Sequence, residues 1–218
     1  MKYKIKNLRK LTLLALVTQF IFISSCSSDG PVMEQPEQIY YDLAQRRMKA
    51  NNYFSAIEAL QAIETNYPFG RYAEQAQSEL IYAYYMNGED EASHEAAEKF
   101  IRLNPRHPNI DYAYFMRGLS SYTRDKGIFA RVFKRDLSDR DISGAKQAFG
   151  ELSEFLTRFP QSQYAPYASQ RLIYLRALIA KNELVVAEYY LRRKAYVAAL
   201  RRAKYVIENI PCLLYTSD

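Results

Sequence analysis

The residues best equipped for chemistry are scattered, and each group stops short of a reaction centre. His94-Glu95-Ala96-Ala97-Glu98 opens like the HExxH of zinc peptidases but closes in a glutamate, so the second imidazole that would hold the metal is absent. His107 stands alone between two prolines and reads as a solvated loop residue. Asp136, Asp139 and Asp141 alternate as calcium ligands do, yet Arg135 and Arg140 interleave with them and no loop glycine or closing glutamate follows. A salt-bridged loop fits that stretch better. The chain has no Gly-rich phosphate loop, no CxxC and no Gly-x-Ser-x-Gly. The expectation is a protein that is not an enzyme and holds no metal.

Cys26 is different, because its neighbours prescribe a modification. Lys2, Lys4, Lys6, Arg9 and Lys10 precede an apolar run, Leu11 to Ile23, that is too short for an ordinary spanning helix. Ile23-Ser24-Ser25-Cys26 then resembles the bacterial lipobox: a branched apolar residue, two small residues for a peptidase pocket, and a thiol to carry lipid. Residues 1–25 read as a lipoprotein signal peptide. The mature chain would begin at Cys26 with S-diacylglycerol on its sulfur and an N-acyl group on its amine. Several acyl chains hold firmly where one would bind marginally. Ser27, not Asp, follows the cysteine, which favours the outer membrane over the inner and a protein facing the periplasm. Cys212 is the only other cysteine, so no internal disulfide is expected in the mature protein.

The signal also explains the charge. The formal net charge is +6 with a pI near 9.1. Removing residues 1–25 removes five positive charges and leaves +1, so a nucleic-acid partner is not expected.

The elements that follow are helices set off by prolines. Residues 26–36 form the lipidated cysteine and a tether, and Glu37 opens a first helix with Ile39, Tyr40, Leu43, Ala44 and Met48 on one side. Tyr53 to Asn66 is its partner, with Phe54, Ile57, Leu60 and Ile63 at helical spacing. Pro68, Pro105, Pro160 and Pro211 each stop an amphipathic run, since proline lacks the amide hydrogen and pushes its predecessor out of the helical region. Pro68 and Pro105 lie 37 residues apart, close to the 34 of the tetratricopeptide motif. In the second unit Leu80, Ile81, Tyr84 and Tyr85 face inward, Asn87-Gly88 makes the turn, and Ala92, Ala96, Phe100 and Leu103 line the partner. The third unit, with Tyr114, Gly118 and Tyr122 opposite Ala148, Leu152 and Phe155, carries an insertion near 123–142. In the fourth, Tyr167 to Arg193 runs without Gly or Pro and reads as one helix of about 40 Å. Its partner is Tyr196 to Asn209, with Val197, Ala199, Leu200, Ala203, Val206 and Ile207. The fold class is all-α: a tetratricopeptide-repeat solenoid of antiparallel helix pairs over residues 37–211.

Longer strings carry a narrower resemblance. Tyr67-Pro68-Phe69-Gly70, LIYAYYMN (80–87), FIRLNPRHPNIDYAYFMRGL (100–119), LSDRD (137–141), Ser162-Gln163-Tyr164 and VAEYY (186–190) resemble the BamD family. Those are tetratricopeptide lipoproteins of the outer-membrane β-barrel assembly machine. The resemblance implies a scaffold without catalysis that docks on the POTRA domains of the barrel component BamA. It also implies contact with accessory lipoproteins of the machine and with unfolded outer-membrane proteins. Family members continue past the final proline into another helix, whereas residues 212–218 form an atypical tail, so the last repeat is expected to be truncated. The runner-up is a periplasmic tetratricopeptide lipoprotein that scaffolds cell-wall hydrolases or division proteins.

Two surfaces are expected to do the binding. The end of the long helix presents Arg192, Arg193 and Lys194 beside Tyr189 and Tyr190, a basic and aromatic tip suited to an acidic POTRA surface. The first helices of stacked units line a groove suited to an extended client peptide. Candidate groove residues are Tyr40, Tyr41, Arg47, Tyr82 and Tyr85, with Arg71 and Tyr72 at the rim. Tyrosines there would stack on the client's rings, and Arg47 or Arg71 would take its terminal carboxylate.

Overall fold

The computed structural model describes residues 36–124 and 142–210, and these hold eight α-helices and no strand. They are α1 (Glu37–Lys49), α2 (Tyr53–Asn66), α3 (Ala73–Asn87), α4 (Asp90–Leu103), α5 (Ile110–Arg124), α6 (Ser143–Arg158), α7 (Ala165–Arg192) and α8 (Tyr196–Asn209). Each packs on the next in sequence, and α3 also packs on α5, so first helices meet across units as a helical solenoid requires. Residues 1–35, 125–141 and 211–218 lie outside the described residues. With them lie the signal peptide, Cys26, the aspartates of the insertion, Cys212 and the atypical tail.

The prolines impose one joint, repeated. The residue before each has nearly the same backbone: φ −131°, ψ 55° at Tyr67, −124°, 54° at Asn104, −129°, 57° at Phe159 and −135°, 51° at Ile210. Each donates its N–H four residues back at 2.8–2.9 Å, to Ile63, Phe100, Phe155 and Val206. At the first three joints its carbonyl then accepts from the residue three ahead, Gly70, His107 or Ser162. That residue's carbonyl accepts in turn from Ala73, Ile110 or Ala165, the first residue of the next helix.

The turns inside units repeat as well. Asn51, Gly88 and Lys194 have φ of 55°, 82° and 59°, and the residue after each donates to the carbonyl five back at 2.9 Å. This is the paired 6→1 and 5→2 closure that ends helices at a left-handed residue. Asn and Gly suit that conformation, whereas a lysine strains in it. Lys194→Gly should therefore stabilise the chain by about 1 kcal/mol, read as a higher urea midpoint with an unchanged slope. A lower midpoint would contradict this account of the turn.

The core lies between neighbouring pairs and corrects several facing assignments. Ile39, Phe54 and Leu103 are exposed, not inward, and Val206 of α8 is buried, as is Ala199, rather than exposed with Val197, Leu200 and Ile207. On α4 the buried set is Ser93, His94, Ala97 and Phe100, a face rotated from the Ala92–Ala96–Leu103 line. Small residues win the buried face because helices cross closely there: a Cβ on Gly118 of α5 would lie 2.7 Å from the Leu152 side chain of α6. His107 is no solvated residue. Its side chain is 14% exposed, stands edge-on to Phe100 at 5.1 Å, and its Nδ1 accepts the N–H of Asn109 at 3.1 Å.

Two carboxylates tie helices together from inside. Glu151 of α6 takes Ser121 Oγ at 2.7 Å and Gln147 Nε2 at 2.9 Å, and His94 Nε2 lies 2.9 Å from it. Glu183 of α7, 2% exposed, holds Lys146 of α6 at 2.8 Å and Arg202 of α8 at 2.9 Å. Burial pushes both carboxyls up, but these partners outweigh it and hold each below the ordinary 4.5. A carboxylate lowered on folding stabilises fully above its unfolded pKa and loses that contribution as pH falls through the folded value. Stability should thus be flat from neutral pH to about 5 and fall below 4.5, and Glu151→Gln/Glu183→Gln should flatten that acid limb. An acid limb unchanged in the double variant would show that other groups set it.

Candidate functional site

A cleft of about 310 Å³ opens along the first-helix side of the array. Four units contribute to it: Met48 from α1, Ser78, Glu79 and Tyr82 from α3, Asn109, Asp111 and Tyr112 from the second joint and α5, and Gln163 and Tyr164 from the third joint. The joints position the last five, because each proline turn lays its final residues across the head of the helix it starts.

The walls are aromatic, and the charged groups among the described lining residues are carboxylates. Tyr112 and Tyr164 lie 5.8 Å apart, and Phe115 stacks on Tyr164 at 5.1 Å and 8°. Tyr82 meets Tyr53 edge-on at 6.0 Å. Glu79 accepts from Tyr41 Oη at 2.9 Å, Gln45 Nε2 at 2.5 Å and Gln75 Nε2 at 2.8 Å, all neutral donors. Asp111 accepts Ser162 Oγ at 2.6 Å and the Tyr112 N–H at 2.8 Å. Among the described residues no lysine, arginine or histidine lines the cleft. Burial, then the bond to Glu79, pushes the Tyr41 phenol up to about 12; burial and Asp111 raise Tyr164, and burial raises Tyr112. These phenols stay protonated at neutral pH.

The structure spreads the candidate groove residues over four places. Tyr82 lines the cleft. Tyr41 and Tyr72 stand beside it, stacked at 4.5 Å and 15°, with the Arg71 guanidinium 5.7 Å from the Tyr72 ring. Tyr40 and Tyr85 pack instead against the apolar clusters between helices. Arg47 is exposed on α1, and neither it nor Arg71 is among the lining residues. The rim is fixed by Glu37, whose carboxylate accepts the Arg71 and Tyr72 N–H groups at 3.0 and 2.6 Å. Ser162 Oγ and His107 Nδ1 make the matching bond at the other joints; Gly70 stands in that position here, and a Cβ on it would overlap the Glu37 carboxylate. Glu79, the Asp111-Tyr112 pair and Tyr164 escaped the sequence reading because these three segments are 32 to 85 residues apart and converge only through the stacking.

The second surface is the hairpin of α7 and α8. At 28 residues α7 is about twice the length of α1, α3 or α5. Its outer half and α8 expose Leu184, Tyr189, Leu191, Tyr196, Val197 and Leu200. Tyr189 and Tyr190 meet edge-on at 5.7 Å, and Arg193 lies 4.9 Å from the Tyr189 ring. Arg192, Arg193 and Lys194 are exposed, and no carboxylate among the described residues pairs with them. Lys194 forms the turn itself. Among the described residues no helix is long and apolar enough to cross a membrane, and no group of three His, Cys, Asp or Glu could hold a metal.

Comparison with known proteins gives one consistent picture. The model of the family described as outer membrane lipoprotein (YfiO) matches residues 33–218. The outer membrane protein assembly factor BamD of Vibrio cholerae serotype O1 is 36% identical over 200 residues, covering 92% of this chain and 83% of that one. The protein of the same name from Neisseria gonorrhoeae is 34% identical over 214 residues, with 94% and 80% covered. That of Xylella fastidiosa strain 9a5c is 37% identical over 206 residues, with 93% and 70% covered.

Proposed function

The chain belongs to the YfiO/BamD family of outer membrane lipoproteins and assembly factors, and from that membership we propose that it is the scaffold subunit of a β-barrel assembly machine. The carrying observation is the family match across the whole repeat array, 33–218, including the long α7 that sets this array apart from a regular repeat. The projecting hairpin docks the POTRA domains of the barrel component: exposed leucines and tyrosines supply apolar area, and Arg192 and Arg193 meet acidic groups. The cleft side receives unfolded outer-membrane proteins, and accessory lipoproteins of the machine bind elsewhere on the array. The work is recognition and placement, with no bond made or broken.

A lipid at Cys26 holds this scaffold to the periplasmic face of the outer membrane. Cys26→Ser should leave the precursor uncleaved or release the chain from outer-membrane fractions, and labelled palmitate should no longer be incorporated. Identical fractionation of wild type and variant would remove the anchor from the account.

A further inference from the structure

We propose that the cleft takes an extended polypeptide through an aromatic side chain and a neighbouring lysine or arginine, and that it refuses the peptide's terminal carboxylate. The proposal rests on the reading of this side of the array as the client surface, and it names the chemistry recognised there. Tyr82, Tyr112 and Tyr164 offer ring faces and edges to an entering ring, which prefers offset or edge-on contact at 4.5–7 Å. Between them the charged atoms are the carboxylates of Glu79 and Asp111, and among the described residues no cation lines the cleft to neutralise them.

Their hydrogen-bonding capacity is not filled. An ionised carboxylate has about four acceptor sites. Glu79 uses three, on neutral donors, and Asp111 uses two. Each can still accept a charge-assisted bond, roughly twice as strong as a neutral one. An incoming carboxylate would meet like charge with no arginine to receive it, since Arg47 and Arg71 are not among the lining residues. The raised phenol of Tyr41 keeps its proton on the Glu79 side, so that carboxylate stays held and aimed. At about 310 Å³ the cleft matches the lower end of ligand-pocket volumes, room for a few side chains and not a folded domain.

The test uses the full chain and fluorescent peptides of equal length with alternating phenylalanine, interspersed with lysine or with glutamate, each made with a free and an amidated C-terminus. Anisotropy titrations at two salt concentrations should show the lysine peptide binding at least ~10-fold tighter than the glutamate peptide, less so at high salt. Amidation should change little. Asp111→Asn and Glu79→Gln, singly and together, should erase most of that preference in protein whose circular dichroism and melting match wild type. Tyr82→Ala should weaken both peptides alike. Equal binding of the two peptides, a requirement for the free carboxylate, or a preference untouched by Asp111→Asn would overturn the proposal. Failure of every peptide to bind would overturn it too. Loss of the barrel partner through hairpin substitutions is a separate readout, so the scaffold role would stand or fall independently.

Discussion

Phe155→Ala is expected to cost about 3–5 kcal/mol of stability. The ring is wholly buried where α5, α6 and the third joint meet, 5.8 Å from Phe115 and 6.0 Å from Phe159. It belongs to the cluster that also holds Leu152, Leu175, Ile179 and Val206, so it joins the third unit to the fourth. The cavity cannot collapse, because Gly118 and Leu152 already bring α5 and α6 as close as they can come. A solenoid's stability is a sum of units and their interfaces, so the loss falls on the interface that carries the projecting hairpin. Phe54→Ala is the comparison. That ring is 61% exposed, and its removal should stay within about 0.5 kcal/mol. Urea unfolding of both variants checks this, and equal losses would contradict the assigned core.

Reversing Arg192 and Arg193 to glutamate should weaken docking of the barrel component by about 2–5 kcal/mol where the charges are buried in the interface. That is on the order of 30-fold to several thousand-fold in Kd. Both side chains are exposed, and the Arg193 guanidinium sits against Tyr189. Lys194→Gly serves as the control, because a residue that closes the turn should alter stability and leave docking nearly intact. Surface-plasmon titration of the POTRA domains separates the two effects. Undiminished binding by the double reversal would take the basic tip out of the interface.

The proline joints were legible in the sequence because proline's missing donor and fixed φ act on its immediate neighbours. The turn at Asn87-Gly88 was equally plain, while the turn at Lys194 placed a residue that strains in the left-handed conformation and so announced nothing. The charge of Lys194 groups it with Arg192 and Arg193 as a candidate partner contact, while its backbone closes the turn. Periodicity found the helices to within a residue or two, yet misassigned faces at Ile39, Phe54 and Leu103. Apolar side chains of any size fit the period, whereas close helix crossings bury alanine, serine and glycine first. His94 looked like half a metal site and is instead one partner of Glu151, which lies 57 residues away in the chain. The cleft was legible only as a side of the array. Its tyrosines were countable, but Tyr40, Tyr85, Tyr112 and Tyr164 are all half-buried against the apolar clusters, and of these only Tyr112 and Tyr164 also line the cleft.

The central claim is that this chain is the scaffold of a barrel-assembly machine, and affinity purification of the protein from outer membranes tests it most directly. Mass spectrometry of the eluate should find a β-barrel protein with periplasmic POTRA domains as a stoichiometric partner, reduced by reversing Arg192 and Arg193. Recovery of cell-wall hydrolases or division proteins with no barrel protein would contradict the account.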